Sequence, residues 1–190
     1  MVSDSKSRMV NSATELFRQH GYSGTGFREI NAHSGVAKGA IYHHFPGGKK
    51  ELALAVIHTV GDTIGDALTT FAPVCTAADL LALFANGWRD HLINTDFQAG
   101  CAIVAIVSEA HPEAPEINDA AASAFATWAK PLTKTLVSDG ATRRHAERLA
   151  TLTVAAIEGA VIICRATRST QPLNNVHREL KEIYSAATIQ

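Results

Sequence analysis

The sequence predicts an all-α protein of about nine helices, and three observations predict it. Apolar residues recur at spacings of three and four rather than two, and β-branched runs are short. Gly and Pro punctuate the chain at intervals that leave helix-length segments between them. The 46% hydrophobic content of the 190 residues is ordinary for a globular chain, without repeats or low-complexity stretches.

Each element follows from its own signals. The first helix is expected from about Ser5 to His20, with Met9, Ala13, Leu16 and Phe17 on one face and Gly21 as its stop. Short helices follow over about Phe27 to Ser34 and about Lys38 to His44, separated by Gly35-Val36. Pro46-Gly47-Gly48 breaks the chain, and a long helix runs from near Lys49 to about Phe71, where Pro73 closes it. Further helices are expected over Ala77 to about Thr95, about Ala102 to Ala110, Glu116 to about Ser138, about Arg143 to Arg168, and Leu173 to about Ala187. Pro112, Pro115, Asp139-Gly140 and Pro172 separate them, and Pro131, inside one, should kink it.

Charge and cysteine usage narrow the function classes. Residues 1–52 hold seven Lys/Arg against four acids, a formal +3, and the remainder is −4, which points to a polyanion at one end. Cys75, Cys101 and Cys164 are odd in number and far apart, as expected of reduced thiols in a cytoplasm. The polar start Val2 to Arg8 is unlike a signal peptide, and the most apolar run, Val154 to Cys164, contains Glu158 and is too short to span a bilayer. A cytoplasmic protein with no membrane partner is therefore expected. The nine histidines lack zinc-site spacing: Glu29 and His33 are four apart, and the adjacent His43-His44 point apart on a helix. His20 and His111 read as ordinary helix-end histidines. No nucleophile–base pair, phosphate loop or kinase signature is present, so neither an enzyme nor a bound metal or cofactor is expected.

Short helix, Gly-containing turn and short helix form a helix-turn-helix pattern. Gly35 tolerates the positive φ of the turn, and Ile30, Val36 and Ile41 are spaced to share one small core with the first helix. Gly39-Ala40 keep the front of the second short helix slim enough for a major groove, and Lys38, Tyr42, His43 and His44 supply groups that reach bases or phosphates.

The run "GVAKGAIYHHFPGGKKEL", with Gly21-Tyr22 before it, resembles the N-terminal signature of the TetR family of transcriptional regulators. Its Pro-Gly-Gly-Lys form, one residue longer than the commoner spacing, is similar to the branch that includes LmrA and YxaF. So are "FQAGCAIVAIVSEA" and "IEGAVIICRATRSTQPL". The resemblance implies a DNA-binding domain over residues 1–48 and a ligand-binding and dimerisation domain over 49–190. It implies that Lys38, Tyr42 and His43, with Gly39, Ala40 and His44, face DNA, Tyr42 and Lys49 on phosphates and His43 reading a base. Arg28 is placed to reach the backbone. Family members usually carry hydroxyl residues at the positions of Gly26, Ala37 and Ala40 and an Ala at that of Asn31. The loss of caps and phosphate donors lowers affinity without altering base preference.

In the body, Phe84 and Trp88 share one helix face and Phe125 and Trp128 another. They read either as ordinary core or as walls of an effector pocket completed by Phe97, Cys101 and Ile106. Glu158 interrupts an apolar run and faces solvent, an Arg across a dimer interface, or a ligand. Two stripes, Ala155, Gly159, Ile162, Ile163, Ala166 and Leu173, Val176, Leu180, Ile183, Tyr184, mark the last two helices as a homodimer surface. The expected function is repression from double-stranded operator DNA, relieved by a small hydrophobic or aromatic effector. The rival is a protein of this fold that has lost DNA binding and acts through protein interaction.

Overall fold

The computed structural model describes residues 4–37, 39–109 and 114–188. Nine helices are present among them and no strand. They are α1 Asp4–His20, α2 Phe27–Ser34, α3 Ala40–His44, α4 Gly48–Phe71, α5 Ala77–Asn94, α6 Ala102–Glu109, α7 Pro115–Ser138, α8 Arg143–Thr167 and α9 Gln171–Thr188. The chain forms two compact units, residues 1–61 with 101–124 and residues 62–100 with 125–190.

The element ends follow from local chemistry. Gly21 (φ 82°) closes α1 and Gly35 (φ 64°) closes α2, both in the left-handed region that glycine enters without cost. Pro115 opens α7, where the missing N–H is no loss. Thr76 opens α5 with a capping box: its hydroxyl accepts from the Asp79 N–H while the Asp79 carboxylate accepts from the Thr76 N–H. Helix α7 continues through Pro131. Helices α5, α7 and α8 each end with an N–H donating back five residues, from Phe97 to Leu92, Ala141 to Leu136 and Ser169 to Cys164. The left-handed residue in these endings is Gly140 in one case but Asp96 (φ 49°) and Arg168 (φ 50°) in the others. Those two pair with each other, Arg168 Nη2 lying 2.7 Å from Asp96 Oδ2.

In the first unit, α1 packs on α2, α3 and α6. Met9, Ala13 and Phe17 of α1 are buried with Ile30, Ile41, Phe45, Leu52 and Val56. Gly61 lies so close to α7 that a Cβ there would come within 2.8 Å of the Ala124 Cβ. In the second unit α5, α8 and α9 pack together. Gly65 would meet Thr127 at 2.5 Å, whereas Gly87 on α5 and Gly159 on α8 have nothing within 4 Å.

Helix α8 is long and apolar enough to cross a membrane by length and composition, the one such helix among the described residues. Ile157, Val161 and Cys164 of α8 are buried in the second unit's core, and α5 and α9 pack on the helix. The predicted α9 stripe divides here. Leu173, Leu180 and Tyr184 are buried against the chain's own helices, and Tyr184 donates its hydroxyl to Thr153 Oγ1 at 2.7 Å. Thr153 in turn donates to the Leu149 carbonyl. Of that stripe only Ile183 is exposed, with Val176 half-buried, because a three–four spacing cannot say which neighbour its face meets.

Candidate nucleic-acid interface

The helix-turn-helix closes as its residues require. Ile30, Val36 and Ile41 are buried together with Phe45, and α3 ends where the Phe45 N–H donates to the Ile41 carbonyl. Gly26 precedes α2 in an extended conformation and Gly39 precedes α3, and neither provides a side-chain cap. The longer Pro46-Gly47-Gly48 loop is absorbed by Gly48 at φ 73°, while the Glu51 carboxylate accepts the Gly47 N–H at 2.7 Å.

This frame leaves Arg28, Gly39, Tyr42 and His43 exposed and Ala40 and His44 half-buried. Tyr42 is 66% exposed and rests edge-on against Phe27, which holds the ring while leaving the hydroxyl outward. The His43 and His44 rings meet edge-to-face at 5.2 Å, closer than adjacent helical positions suggested. Lys38 lies outside the described residues, as do Ala110, His111 and Pro112. Two histidine–glutamate pairs join α1 to α2: His20 Nδ1 to Glu29 Oε1 at 2.8 Å and His33 Nε2 to Glu15 Oε2 at 3.3 Å. Glu29 thus pairs with His20 rather than with His33, its neighbour one turn on.

Lys49 is half-buried at the start of α4. Its ammonium sits 4.5 Å from the centroid of the Tyr22 ring. Partial burial lowers its pKa, against an opposing pull from Glu109. Glu109, at the end of α6, accepts the Ser23 N–H at 2.7 Å, and its pKa falls chiefly through that bond and then through other bonds at Ser23 and Tyr22 and the Lys49 charge. Lys50 reaches Glu116 in the first turn of α7 at 2.9 Å, which lowers the Glu116 pKa. Burial raises the Tyr22 pKa, with Lys50 acting against it. Sequence reasoning missed Tyr22, Ser23, Glu109, Lys50 and Glu116. Glu109 lies 86 positions from Ser23 and Glu116 lies 66 from Lys50, and no local pattern reports such pairs.

Residues 10–56 match the family described as bacterial regulatory proteins, tetR family. Residues 77–179 match the C-terminal domain described as transcriptional regulator LmrA/YxaF-like. An uncharacterized HTH-type transcriptional regulator of Mycobacterium tuberculosis is 33% identical over 187 residues, covering 95% of this chain and 94% of its own length. The chain belongs to the TetR family. This TetR-family chain is also 27% identical to the HTH-type transcriptional regulator LmrA of Bacillus subtilis over 174 residues, 91% of this chain and 93% of that one. A TetR transcriptional regulator from Legionella pneumophila has the same fold, with a TM-score of 0.85 at 22% identity, covering 96% of this chain and 98% of that chain. The protein is a DNA-binding transcriptional regulator, and its exposed Tyr42 and His43 stand on the helix expected to read DNA.

In the second unit of this TetR-family regulator the predicted effector residues regroup. Phe84 meets Trp128 at 5.9 Å between ring centroids, and Phe125 meets Trp128 at 5.3 Å, both edge-on. Trp88, one turn along α5 from Phe84, lies edge-on to His91, and its indole N–H is buried without an acceptor among the described residues. Phe97 is half-buried in a left-handed conformation (φ 59°) next to Asp96, and Arg165 donates to the adjacent Gln98 carbonyl at 2.8 Å. Glu158 is only 7% exposed, which removes the solvent-facing alternative. Cys101 and Ile106 are buried in the first unit.

Proposed function

We propose that this regulator is a homodimeric repressor, working in the cytoplasm, that a small hydrophobic or aromatic compound releases from operator DNA. The observation that carries the reading is the buried indole N–H of Trp88, one helical turn from the Phe84–Trp128–Phe125 group. A buried donor without an acceptor costs about 1–3 kcal/mol. A planar compound bearing a carbonyl or ether oxygen would satisfy that donor while stacking on the aromatic walls. Effector and DNA then oppose each other by one coupling free energy, whichever binds first.

The dimer reading is supported by a face of α8 that the chain itself leaves open. Ala155, Ile162, Ile163 and Ala166 are exposed, Gly159 is half-buried, and Ile162 and Ile163 are each more than 50% exposed. That face and Ile183 of α9, meeting their symmetry mates, would make a four-helix interface. Two recognition helices would then lie about 34–36 Å apart in the simplest arrangement.

Binding to the DNA upstream of the protein's own gene, with and without planar aromatic compounds, tests the reading. A releasing compound should also quench Trp fluorescence saturably. Trp88→Phe keeps most of the volume and should alter the affinity for that compound at near-normal stability and DNA binding. Release unchanged by Trp88→Phe would remove Trp88 from the site, and DNA binding that no compound relieves would overturn the effector reading.

A further inference from the structure

The first unit, which carries the helix-turn-helix, is not basic. Among the described residues, 101–124 bring three acids (Glu109, Glu116 and Asp119) and no Lys or Arg to the six bases and four acids of residues 1–61. These residues therefore have a formal charge of −1, against the +2 of those in 1–61 alone. A nucleic-acid-binding surface ordinarily presents a surplus of positive charge, because neutralising phosphates supplies most of the sequence-independent attraction.

Two of those acids stand at the N-terminal lysines of α4. Glu116 contacts Lys50 at 2.9 Å, and Glu109 lies within electrostatic reach of Lys49, whose ammonium is drawn over the Tyr22 ring. Glu109 also accepts the Ser23 N–H at 2.7 Å, where a carboxylate takes a bond that any anion of similar size would take. The Lys50–Glu116 pair is about half exposed on both sides and adds little to folding stability. Its position is better explained by what it does to charge at the start of α4. We propose that Glu109 and Glu116 act as built-in counter-anions that phosphate must displace from Lys49 and Lys50, so that the α6–α7 segment weakens binding to DNA of any sequence.

A carboxylate must give up its lysine before phosphate can take it, so each pair subtracts the strength of an exposed ion pair from the binding of any sequence. With less of the affinity coming from phosphates, the exposed side chains of α3 set a larger share of the preference for one sequence over another. The inference rests on the family's DNA binding and not on the effector reading.

Binding of a random-sequence duplex to the full-length protein, measured between about 50 and about 200 mM salt, tests it. Glu116→Gln cannot unfold the chain, since Glu116 is exposed, and Glu109→Gln keeps an acceptor for the Ser23 N–H. Each variant should bind more tightly than wild type at low salt. The gain should be up to about fivefold and should shrink as salt screens the pair that the substitution removes. A variant that binds no more tightly than wild type at low salt, while melting at the wild-type temperature, overturns the inference.

Discussion

Tyr184 carries its hydroxyl into the core of the second unit and donates it to Thr153, and burial pushes its pKa up to about 12. A raised folded-state pKa means that the unfolded chain loses this proton first. Its contribution is therefore complete below about pH 10 and is lost as the pH rises from about 10 to 12, by roughly 2–3 kcal/mol. Tyr184→Phe should cost about 1 kcal/mol at neutral pH and remove that part of the alkaline decline, which denaturant melts at pH 8 to 12 would read. His43 poses a different question at the same scale. It is exposed and set edge-on against His44, so His43→Ala should leave folding intact and change the base preferred at one position of each half-site. A binding-site selection returning the wild-type preference would pass the reading role to another side chain. The sequence pointed to Tyr42 and His43 because they are polar groups on a short, slim-fronted second helix in a run that resembles the TetR signature. It did not point to Glu109, whose partner lies 86 positions away.

Helices were legible almost to the residue where a glycine or proline ends them, as at Gly21, Gly35 and Pro115, since these residues act through their own backbone. The ends of α5 and α8, at Asn94 and Thr167, also fall within one residue of expectation, although no glycine closes them. There Asp96 and Arg168 take the left-handed place, each at a cost of about 1 kcal/mol or more, and hold one another in an ion pair between distant positions. Amphipathic spacing likewise located the apolar faces of α8 and α9 without saying what each face covers. Leu180 and Tyr184 proved to belong to the chain's own core, while Ile162, Ile163 and Ile183 remain exposed. This separation makes a prediction for the two helices. Ile162→Glu and Ile183→Glu should leave the monomer folded but raise the dimer dissociation constant about a hundredfold or more, because a buried unpaired charge costs several kcal/mol. Leu180→Glu, by contrast, should unfold the chain. Sedimentation velocity and circular dichroism together distinguish these outcomes, and an intact dimer for both isoleucine variants would place the interface elsewhere.

At the scale of the whole molecule the charge read along the chain differs from the charge read in space. Residues 1–52 promised a basic head, and folding adds Glu109, Glu116 and Asp119 to the same unit. Linear composition cannot anticipate this, because nothing near Lys49 or Lys50 in the chain says which helix will return beside it. The glycines extend the lesson to assembly. Gly61 and Gly65 are fixed by contacts within the single chain and should tolerate no side chain. Gly87 and Gly159 both lie inside helices with open space before them, so alanine at either should stabilise the monomer alike, by about 1 kcal/mol. Only Gly159 lies on the face proposed to meet a second copy. The pair is therefore an internal control supplied by the fold: Gly87→Ala reads helix propensity alone, and Gly159→Ala reads the same gain minus whatever close approach the partner requires. A shortfall at Gly159 in melting temperature that grows with protein concentration would measure the selection that assembly, rather than folding, places on one hydrogen atom.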